Sequence, residues 1–541
     1  MGSIPREFLP PKEYLPRRIF TIPEFQYPGK LNIVRRLYEN VKDWAKAALY
    51  YKDQKITFRE LKSQSNKLAN ALKAIGVGQN DRVMIKLPNC PEFLYAYYGC
   101  WTIGAVVVVA PNLLRKEEII YRANDSEAKV LIVSSSTWPE LPECTPEFKT
   151  IEKIIVVGER KEGYLYYDDL VGNESDACDI ADTDNFHPAL LLYSSGTTGK
   201  PKGMIQDSVF LFVSGDTTRM IAGSLDEHDV LGGAPPFTFP LGSSFPLAQA
   251  RTGCAISIVD RPTAEEMFET IEKHRITLLS NVPTMYRMML QVADAEHRYD
   301  LSSVKCFMSA GEWLPGNVRR EWIKRFSKDI IDALGCGEMT WLFAHPHWSP
   351  DDKSDSTGKL LPGFRMRIVD EDFNDVPVGT YGEVLIQGPT GTLYWRRPEI
   401  QEKAIYDGWN RIGLVGKLDE DGYFWLKGRV DDMIVTSGYK VAIGEVESTL
   451  MRHEAVLEAA VVASPDEVRG NVIKAFVVLR KGFQPSEALM KELQDYVKVN
   501  LEPYKYPRKI EFVNSEKLPR TLSGKIKHHE LAEIERSKVK E

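Results

Sequence analysis

The sequence has few cysteines, no long apolar run and no signal-peptide core, and each absence excludes a class of protein. The seven cysteines among 541 residues form no CxxC pair and leave an odd one over, so neither a disulfide framework nor a cysteine-rich metal site is indicated. The longest apolar stretch, residues 104–110, is far shorter than the roughly 20 residues that span a bilayer. The N-terminus contains proline and charged residues, unlike a secretory signal. We therefore expect a cytoplasmic protein with no membrane partner.

An excess of positive charge is also missing. The net charge is -7 and the pI is about 5.9, so the chain lacks the broad positive field that supplies non-specific affinity for nucleic acid. The composition, 43% hydrophobic and 27% charged, is ordinary for a globular protein. The length is too great for a single core. We therefore expect a multi-lobed globular protein that does not bind nucleic acid.

The order of sequence patterns predicts an α/β fold with two domains. From about residue 56, helical patterns alternate with short β-branched runs, as in residues 58–74 followed by residues 82–87, which indicates layers of helices around largely parallel strands. After about residue 363 the chain changes to short strands separated by turn residues. We predict an N-terminal α/β body with a β-rich subdomain, residues 1–430, and a small α+β C-terminal domain, residues 431–541.

The strongest motif is Tyr-Ser-Ser-Gly-Thr-Thr-Gly-Lys-Pro-Lys-Gly at residues 193–203, directly after the apolar residues 189–192. Its glycines permit close approach of the backbone to a ligand, and its hydroxyls and two lysines suit a polyphosphate. The spacing is not that of a Walker A loop. A flexible surface loop is the alternative. The predicted phosphate-binding residues are Ser194, Ser195, Gly196, Thr197, Thr198, Gly199, Lys200 and Lys202.

This motif resembles the signature of the adenylate-forming superfamily, which includes acyl-CoA synthetases, amino-acid adenylation domains and luciferases. Later motifs follow in the family's order, so the resemblance covers nearly the whole chain. It implies an ATP-dependent acid:CoA ligase that uses ATP, Mg²⁺ and coenzyme A and forms an acyl-adenylate. It also leaves a homodimer open.

The resemblance assigns the nucleotide site to two strand-to-loop junctions, which are usual ligand positions in α/β sheets. The adenine and ribose residues it implies are Gly311, Glu312, Asp332, Ala333, Leu334, Gly335 and Arg429. It implies that Glu338, with Thr198, holds magnesium near the phosphates. Lys525 matches the lysine that the family uses in the adenylation step, so Lys525 and Glu338 are the predicted catalytic residues.

For the C-terminal domain, which we call the cap, the resemblance implies motion about a hinge at Asp431. The cap would turn between the adenylation step and transfer of the acyl group to the coenzyme A thiol. The coenzyme A-binding residues it implies are Ser437, Gly438, Tyr439, Lys440, Arg469, Tyr506 and Arg508.

The sequence departs from the family's pattern at residue 414. The family has Thr-Gly-Asp after the tryptophan that matches Trp409, and its aspartate binds the ribose hydroxyls, whereas this chain has Ile-Gly-Leu at residues 412–414. Three explanations stay open: an altered ribose contact in a working enzyme, a weakened or engineered variant, and a nucleotide-blind binding protein. The first predicts that Leu414→Asp improves ATP affinity.

The acid itself is not fixed by the sequence. The acyl-pocket residues implied by the resemblance are Phe237, Thr238, Phe239, Tyr286, Trp341 and Leu342. Parts of the chain resemble benzoate and 2-aminobenzoate ligases, other parts resemble medium-chain acyl-CoA synthetases, and bulky Trp341 also fits a short branched or hydroxylated acid.

Two other functions compete with the ligase. An adenylation enzyme that loads a carrier protein usually offers an aspartate near Phe237, and residues 235–240 contain none. A nucleotide- or CoA-binding protein with weakened catalysis is supported by Leu414 alone. Lys525 argues against it, because binding does not require that residue.

Overall fold

The computed structural model describes residues 10–141, 145–194, 201–312, 314–346, 349–436, 439–466, 469–520 and 526–540. Within these residues the strands form two large sheets, a smaller antiparallel sheet, a hairpin and a three-stranded C-terminal sheet. The bounds below are those of the described residues.

The strands up to residue 207 supply the first large sheet and one edge of the second. They are β1 (Ala47–Tyr51), β2 (Gln54–Thr57), β3 (Arg82–Lys86), β4 (Val106–Val109), β5 (Val130–Ser134), β6 (Lys153–Val157), β7 (Leu165–Tyr166), β8 (Pro188–Tyr193) and β9 (Gly203–Asp207). The first sheet has the order β7-β6-β5-β3-β4-β8-β9, and all its pairs are parallel except β8 with β9. Strand β4 is four valines, all buried, as expected for a parallel strand covered on both faces.

The second large sheet contains the strand ends that later form the nucleotide wall. Its further strands are β10 (Val230–Gly233), β11 (Ala255–Ile258), β12 (Leu278–Asn281), β13 (Cys306–Ser309), β14 (Ile330–Cys336), β15 (Thr340–Ala344) and β16 (Lys359–Leu360). The order is β16-β15-β14-β13-β12-β10-β11-β1-β2. The strands from β14 to β1 pair in parallel, so their carboxyl ends lie along one edge of the sheet.

Helices cover the two large sheets. In the body they are α1 (Ile33–Asn40), α2 (Phe58–Ala74), α3 (Pro91–Thr102), α4 (Lys116–Ser126), α5 (Tyr167–Gly172), α6 (Ser208–Ile221), α7 (Pro240–Thr252), α8 (Ala264–His274), α9 (Pro283–Leu290), α10 (Ala295–Arg298), α11 (Gly316–Phe326) and α12 (Pro398–Ala404). Helix α2 begins at a capping box in which Thr57 and Glu60 satisfy each other's backbone N–H groups. Its buried residues include Leu61, Leu68 and Leu72, the spacing of one helical face.

The β-rich subdomain is an antiparallel sheet that follows the second large sheet. Its strands are β17 (Arg365–Val369), β18 (Gly382–Gln387), β19 (Ile405–Tyr406), β20 (Trp409–Leu418) and β21 (Phe424–Arg429). Strand β20 pairs with β18, β19 and β21. The sheet is therefore centred on the strand that contains Leu414.

The cap contains the hairpin β22 (Met433–Thr436) and β23 (Tyr439–Ala442) and the sheet of β24 (Val456–Asp466), β25 (Gly470–Leu479) and β26 (Lys509–Phe512). Its helices are α13 (Ile443–Met451), α14 (Glu487–Asn500) and α15 (His528–Lys540). Short 3-10 helices in the chain are Lys12–Tyr14, Pro23–Phe25, Ser135–Glu140, Thr145–Glu147, Asp351–Lys353, Val430–Asp432, Pro503–Lys505 and Ser515–Lys517. The cap has its own apolar core between helices α13 and α14 and the sheet.

The elements predicted from the sequence agree with these bounds. Helix α2 occupies the predicted residues 58–74, and β3 ends one residue before the end of the predicted run, residues 82–87. Strands β17 and β18 are short strands of the kind expected after about residue 363. In the described part of the chain no helix is both long and apolar enough to cross a membrane. Cys90, Cys100, Cys178, Cys254, Cys306 and Cys336 are free, and all but Cys178 and Cys336 are buried.

Candidate active site

The predicted phosphate loop connects the antiparallel strands β8 and β9. Tyr193 pairs with Gly203 at its base. The Ser194 N–H donates to the Lys202 carbonyl at 2.9 Å, and the Lys202 N–H donates to Ser194 Oγ at 3.3 Å. Two hydrogen bonds between Ser194 and Lys202 therefore join the two described ends of the loop. Ser195, Gly196, Thr197, Thr198, Gly199 and Lys200 lie outside the described residues.

Gly203 allows another segment of the chain to lie against this base. A Cβ atom at residue 203 would come within 3.2 Å of Leu191 Cδ1 and of Trp395 Cβ, which is tighter than ordinary packing. The Trp395 N–H donates to the Gly203 carbonyl at 2.8 Å. Residues 393–395 are therefore held beside the loop. Tyr394, whose hydroxyl contacts Glu338, belongs to this segment.

Glu338 lies at the tip of the hairpin formed by β14 and β15. Cys336 pairs with Thr340, so residues 337–339 form the turn. The Gln206 side chain donates from Nε2 to the Gly337 carbonyl at 2.9 Å, and a Cβ at Gly337 would lie 2.7 Å from Met204 Cε. Because β9 begins directly after the phosphate loop, this contact places the Glu338 turn beside the end of that loop.

The half-buried Glu338 carboxylate has a defined neighbour. The Tyr394 hydroxyl donates to Glu338 Oε1 at 3.1 Å. Burial and the Glu338 charge raise the pKa of Tyr394, so the tyrosine stays a hydrogen-bond donor at neutral pH. Carboxylate and hydroxyl oxygens are the ligands that Mg²⁺ prefers, and an oriented carboxylate beside a polyphosphate loop fits that ion.

The predicted nucleotide wall comes from neighbouring strands of the second large sheet. Ser309, at the end of β13, pairs with Asp332 in β14, and Ala333, Leu334 and Gly335 continue β14. Gly311 follows β13 with a φ of +88°, a conformation that favours glycine. Glu312 is exposed. The two predicted junctions are therefore adjacent in space.

Asp332 is a buried acid in this wall. Burial raises its pKa well above the ordinary value, against the opposing effects of the Leu314 N–H and the Arg319 charge. Its Oδ1 atom has no hydrogen-bond partner among the described residues. A buried polar atom of this kind is usually paired, so Asp332 is suited to a ligand with hydrogen-bond donors, such as an adenine amino group.

Leu414 and Arg429 face each other across β20 and β21. They are direct partners in the antiparallel register. Leu414 is half-buried and packs against the main apolar core, and Arg429 is exposed. The residue opposite Arg429 is therefore apolar, as the sequence comparison with the family's Thr-Gly-Asp pattern implies.

Most of the predicted acyl-pocket residues lie around the loop between β10 and α7. We call residues 234–242 the acyl wall. Phe237 is buried, with its ring 5.5 Å from that of Phe93 and 6.2 Å from that of Phe245. Thr238 is buried and Phe239 is half-buried. On β15, Trp341 and Leu342 are buried in the same core as Phe237.

Tyr286 differs from this group. It packs in a second core against Phe307 and Trp322. Its hydroxyl donates to the carbonyls of Leu279 at 3.2 Å and Met308 at 2.8 Å. Tyr286 thus belongs to a different apolar core from Phe237, Trp341 and Leu342, with its polar group already paired, and Ala234 of the acyl wall packs against that second core.

The cap residues fall into two sets. Lys525, Ser437 and Gly438 lie outside the described residues, and only the backbone of Asp431, Tyr439 and Lys440 is described, in the 3-10 helix Val430–Asp432 and in β23. Arg469 is exposed. The Arg508 guanidinium lies 4.8 Å from the centre of the Tyr506 ring and donates to its hydroxyl. The predicted coenzyme A residues Tyr506 and Arg508 thus form one cationic and aromatic surface.

The segment that contains Lys525 begins and ends at a fixed stem. Arg520 pairs with Ile526 in an isolated antiparallel bridge. The Arg520 guanidinium donates to both oxygens of Glu458 at 2.9 and 2.6 Å. This hydrogen-bonded carboxylate and the charge of Glu312 raise the pKa of Arg520. The stem is therefore tied to strand β24 of the cap through Glu458.

Sequence reasoning missed four side chains that hold the site together. Gln206 and Tyr394 contact the Glu338 turn, Asn89 Oδ1 accepts from the Phe237 N–H at 2.9 Å, and the Tyr97 hydroxyl donates to the Phe237 carbonyl at 3.3 Å. None of them belongs to a recognisable motif. Gln206 is within three residues of the phosphate motif, and that proximity is the only signal that the sequence offers.

A sequence model of the AMP-binding enzyme family matches residues 38–395, and one of the AMP-binding enzyme C-terminal domain matches residues 445–525. A benzoate–CoA ligase of Thauera aromatica is 36% identical over 483 residues, which are 88% of this chain and 90% of the relative. An acetyl-coenzyme A synthetase of Bacillus subtilis is 35% identical over 92% of this chain and 89% of its own length. A crystal structure of an anthranilate CoA ligase with anthranoyl-AMP has a TM-score of 0.87 and 31% identity, covering 96% of this chain and 100% of the other.

The chain therefore belongs to the AMP-binding enzyme family, and the predicted α/β architecture is confirmed. It is an AMP-forming acid–thiol ligase, with ATP and coenzyme A as substrates and Mg²⁺ as the metal.

Proposed function

We propose that this ligase activates an aromatic, short branched or hydroxylated, or medium-chain carboxylic acid in the space between the acyl wall and the Glu338 turn. The observation that carries the site assignment is the 2.9 Å hydrogen bond from Gln206 to the Gly337 carbonyl. It joins the strand after the phosphate loop to the turn that presents Glu338. A polyphosphate-binding loop and a metal-binding carboxylate are thereby held side by side.

The phosphates of ATP would bind to the predicted loop, from Ser194 to Lys202. Glu338 and Thr198 would hold Mg²⁺, which supplies charge neutralisation on the phosphate oxygens. Asp332 and the backbone of residues 311–312 and 333–335 would surround the adenine, and Arg429 would reach the ribose. The positions of Asp332, Glu338 and residues 311–312 and 333–335, in or directly after β13 and β14, support their roles, and the position of Arg429 at the end of the antiparallel strand β21 supports the ribose role.

In the first half-reaction a carboxylate oxygen of the acid forms a bond to the α-phosphorus of ATP, and the bond from that phosphorus to pyrophosphate breaks. Two anions must approach each other, so a cation directed at the developing charge lowers the barrier. Lys525 would supply it. The pKa of Arg520 is raised mainly by its hydrogen bond to Glu458 and also by the charge of Glu312, and this second contribution supports the position of the lysine.

In the second half-reaction the coenzyme A sulfur forms a bond to the acyl carbon, the bond to AMP breaks, and the thiol proton passes to solvent. We propose that the cap, residues 431–541, turns about Asp431 for this step relative to the body, residues 1–430. Ser437, Gly438, Tyr439, Lys440, Arg469, Tyr506 and Arg508 would then bind coenzyme A. Cations and aromatic rings suit a phosphorylated adenine nucleotide.

The names of the relatives support more than one acid. Benzoate and anthranilate ligases favour an aromatic acid, an acetyl-coenzyme A synthetase favours a short one, and mammalian acyl-coenzyme A synthetases are 33 to 34% identical. We also propose that the protein is cytoplasmic and forms a homodimer. Light scattering on the purified protein measures the oligomer directly.

The test is AMP release by the purified protein with ATP, Mg²⁺ and coenzyme A. The acids are benzoate, 2-aminobenzoate, hexanoate, 2-methylpropanoate and hydroxylated short acids. Formation of acyl-CoA with one class supports the proposal and identifies the acid. Absence of AMP with every acid at saturating ATP contradicts it.

A further inference from the structure

The acyl wall has a fixed backbone. The Ala234 N–H donates to Asn281 Oδ1 at 2.8 Å, and the Phe237 N–H donates to Asn89 Oδ1 at 2.9 Å. The Asn89 side chain also donates to the Pro235 carbonyl at 3.1 Å. Both asparagines are buried, so the polar backbone of the wall is paired within the protein and its side chains are held in place.

One side chain of this wall has an unused polar group. Thr238 is 4% exposed, and its hydroxyl has no hydrogen-bond partner among the described residues. Its chain neighbours are Phe237 and Phe239. Burying an unpaired hydroxyl is unfavourable, and such exceptions require an explanation. One explanation is a ligand group that forms a hydrogen bond with this hydroxyl.

Trp341 and Tyr97 near the wall have their polar groups already paired, whereas Asn281 Nδ2 is buried without a hydrogen-bond partner among the described residues. Trp341 donates from Nε1 to Thr218 Oγ1 at 3.0 Å, and the Thr218 hydroxyl donates to the Ser214 carbonyl at 2.8 Å. The Tyr97 hydroxyl donates to the Phe237 carbonyl at 3.3 Å. Trp341 therefore offers a ligand only its apolar surface. The Thr238 hydroxyl and Asn281 Nδ2 are the unpaired polar groups of the wall and its support, and of these two only the hydroxyl can both donate and accept.

We propose that Thr238 is a specificity-determining residue and that its hydroxyl binds a hydrogen-bonding substituent of the acid. The preferred substrates are then hydroxy- or amino-substituted carboxylic acids, and the unsubstituted acids of the same size are poorer. This inference rests on the proposed function of the acyl wall. A threonine hydroxyl both donates and accepts, so it pairs with either substituent.

The size of the effect follows from the asymmetry of buried hydrogen bonds. An unsubstituted acid leaves the Thr238 hydroxyl unpaired in a closed pocket, whereas a substituted acid pairs it. A site that pairs with a substrate hydroxyl discriminates strongly against an analogue that lacks it. For one neutral hydrogen bond we expect about a tenfold to hundredfold difference in kcat/KM.

The experiment compares kcat/KM for acids that share a skeleton. One set is benzoate against 2-, 3- and 4-hydroxybenzoate and 2-aminobenzoate, and the other is 2-methylpropanoate against 2-hydroxy-2-methylpropanoate. The hydroxy and amino members separate the two kinds of substituent. The enzyme variants are Thr238→Val, which keeps the shape and removes the hydroxyl, and Thr238→Ser, which keeps the hydroxyl.

The wild-type enzyme should prefer a substituted acid in at least one set by about tenfold or more. Thr238→Val should bring that ratio close to one, and Thr238→Ser should retain it. Thr102→Val is the matched control, because Thr102 is also buried and donates to the Tyr98 carbonyl at 2.8 Å outside the wall. It should leave the ratio unchanged.

Thermal unfolding gives a second readout. Replacing an unpaired buried hydroxyl by a methyl group should not lower the melting temperature, whereas Thr102→Val, which removes a paired hydroxyl, should lower it. Equal kcat/KM values within both sets, or a preference that survives Thr238→Val, would overturn the inference while the ligase activity stands. Absence of AMP with every acid would instead overturn the proposed function and this inference with it.

Discussion

The acyl wall and the cap are held to the rest of the molecule by different kinds of interaction. The wall is fixed by neutral hydrogen bonds from Asn89 and Asn281, both buried. Between the cap and the body, Ala442 lies beside Gly428, and partly exposed charges also act across this boundary. On one side the pKa of Arg520 is raised mainly by its hydrogen bond to Glu458 of the cap, with a smaller contribution from the charge of Glu312 of the body. On the other side, the pKa of Glu502 is lowered mainly by its hydrogen bond to Lys505, with a smaller contribution from Lys427 of the body.

This difference matches what each region has to do. Buried neutral hydrogen bonds are costly to break and insensitive to salt, so they preserve the shape of a pocket. Exposed charged contacts contribute little individually and are screened by ions. They suit the rotation that we propose for the cap, in which it separates from one surface and binds another. The comparison predicts that changes in the wall affect both half-reactions, whereas changes in the cap affect one.

Removal of the Lys525 amine should have the largest effect. Lys525→Ala should slow acyl-adenylate formation by about a hundredfold or more, because a cation directed at the developing charge is lost. Thioester formation from supplied acyl-adenylate should be nearly unchanged. Pyrophosphate–ATP exchange and acyl-CoA release measure the two steps separately.

The matched control for this prediction is Lys527→Ala, since Lys527 is about half-exposed and paired only loosely, at 3.3 Å, with Glu530. It should leave both steps unchanged. An equal loss in both steps for Lys525→Ala would show that the cap does not divide the reaction as we propose.

Leu414→Asp should strengthen ATP binding without altering either the wall or the cap. The new carboxylate would stand directly across the strand pair from Arg429 and within the predicted ribose site. A charge-assisted hydrogen bond contributes roughly 1.5–3 kcal/mol, which corresponds to about a tenfold to hundredfold lower KM for ATP. Leu414→Asn, which has a similar size and no charge, is the matched control and should give a smaller gain. An unchanged KM for ATP would exclude the explanation that Leu414 reflects an altered ribose contact.

Asn89→Ala should weaken the acyl wall. The substitution leaves the buried Phe237 N–H without its acceptor, which costs about 1–3 kcal/mol, and lets the wall move. We expect a lower melting temperature of the body, a higher KM for the acid in the first half-reaction and a higher KM for the acyl-adenylate in the second. Asn70 is the matched control, because its side chain donates to two loop carbonyls at an exposed position. Loss of only one half-reaction in Asn89→Ala would contradict the role assigned to the wall.

The elements of the fold were largely readable from the sequence. Helix α2 carries its capping box and its apolar spacing within one continuous segment, and β17 and β18 are bounded by turn residues. The position of Leu414 was also readable, because the flanking motifs fix its place in the strand that pairs with Arg429. Local patterns determine these features, so one sequence is sufficient to predict them.

The contacts that assemble the site were not readable in this way. Tyr394 reaches Glu338 across 56 residues, and Gln206 reaches Gly337 across 131. Such pairs depend on how the strands are ordered in the sheets, and each side chain alone resembles an ordinary core or surface residue. Tyr286 shows a related limit of sequence-based prediction. A tyrosine in a sequence fits a pocket and a core equally well, and its environment becomes clear only when its hydroxyl partners are known.

Arg520→Gln should reduce the rate of adenylation by roughly threefold to tenfold, in line with the loss of one partly exposed charged hydrogen bond. Arg520 joins Glu458 of the cap to the neighbourhood of Glu312 of the body, so its charge orients the stem of the segment that contains Lys525. Thioester formation should change less than adenylation. Arg36→Gln, which removes an exposed pair with Glu39, is the control and should change neither step.

A change in salt concentration should have the smallest effect on the reaction rates. It should also distinguish the acyl wall from the cap most directly. Raising the ionic strength from 0.1 to 1 M shortens the screening length from about 10 Å to about 3 Å. At saturating ATP and acid, the ratio of the adenylation rate to the thioester rate should fall by about twofold to threefold, because the charges between Arg520 and Glu312 and between Lys427 and Glu502 are screened. The ratio should respond less in Arg520→Gln, which has already lost one of these charges.

The preference between substituted and unsubstituted acids should stay constant over the same range, since the wall uses neutral buried hydrogen bonds. A preference that changes with salt as much as the rate ratio does would mean that the wall and the cap are not held by different forces.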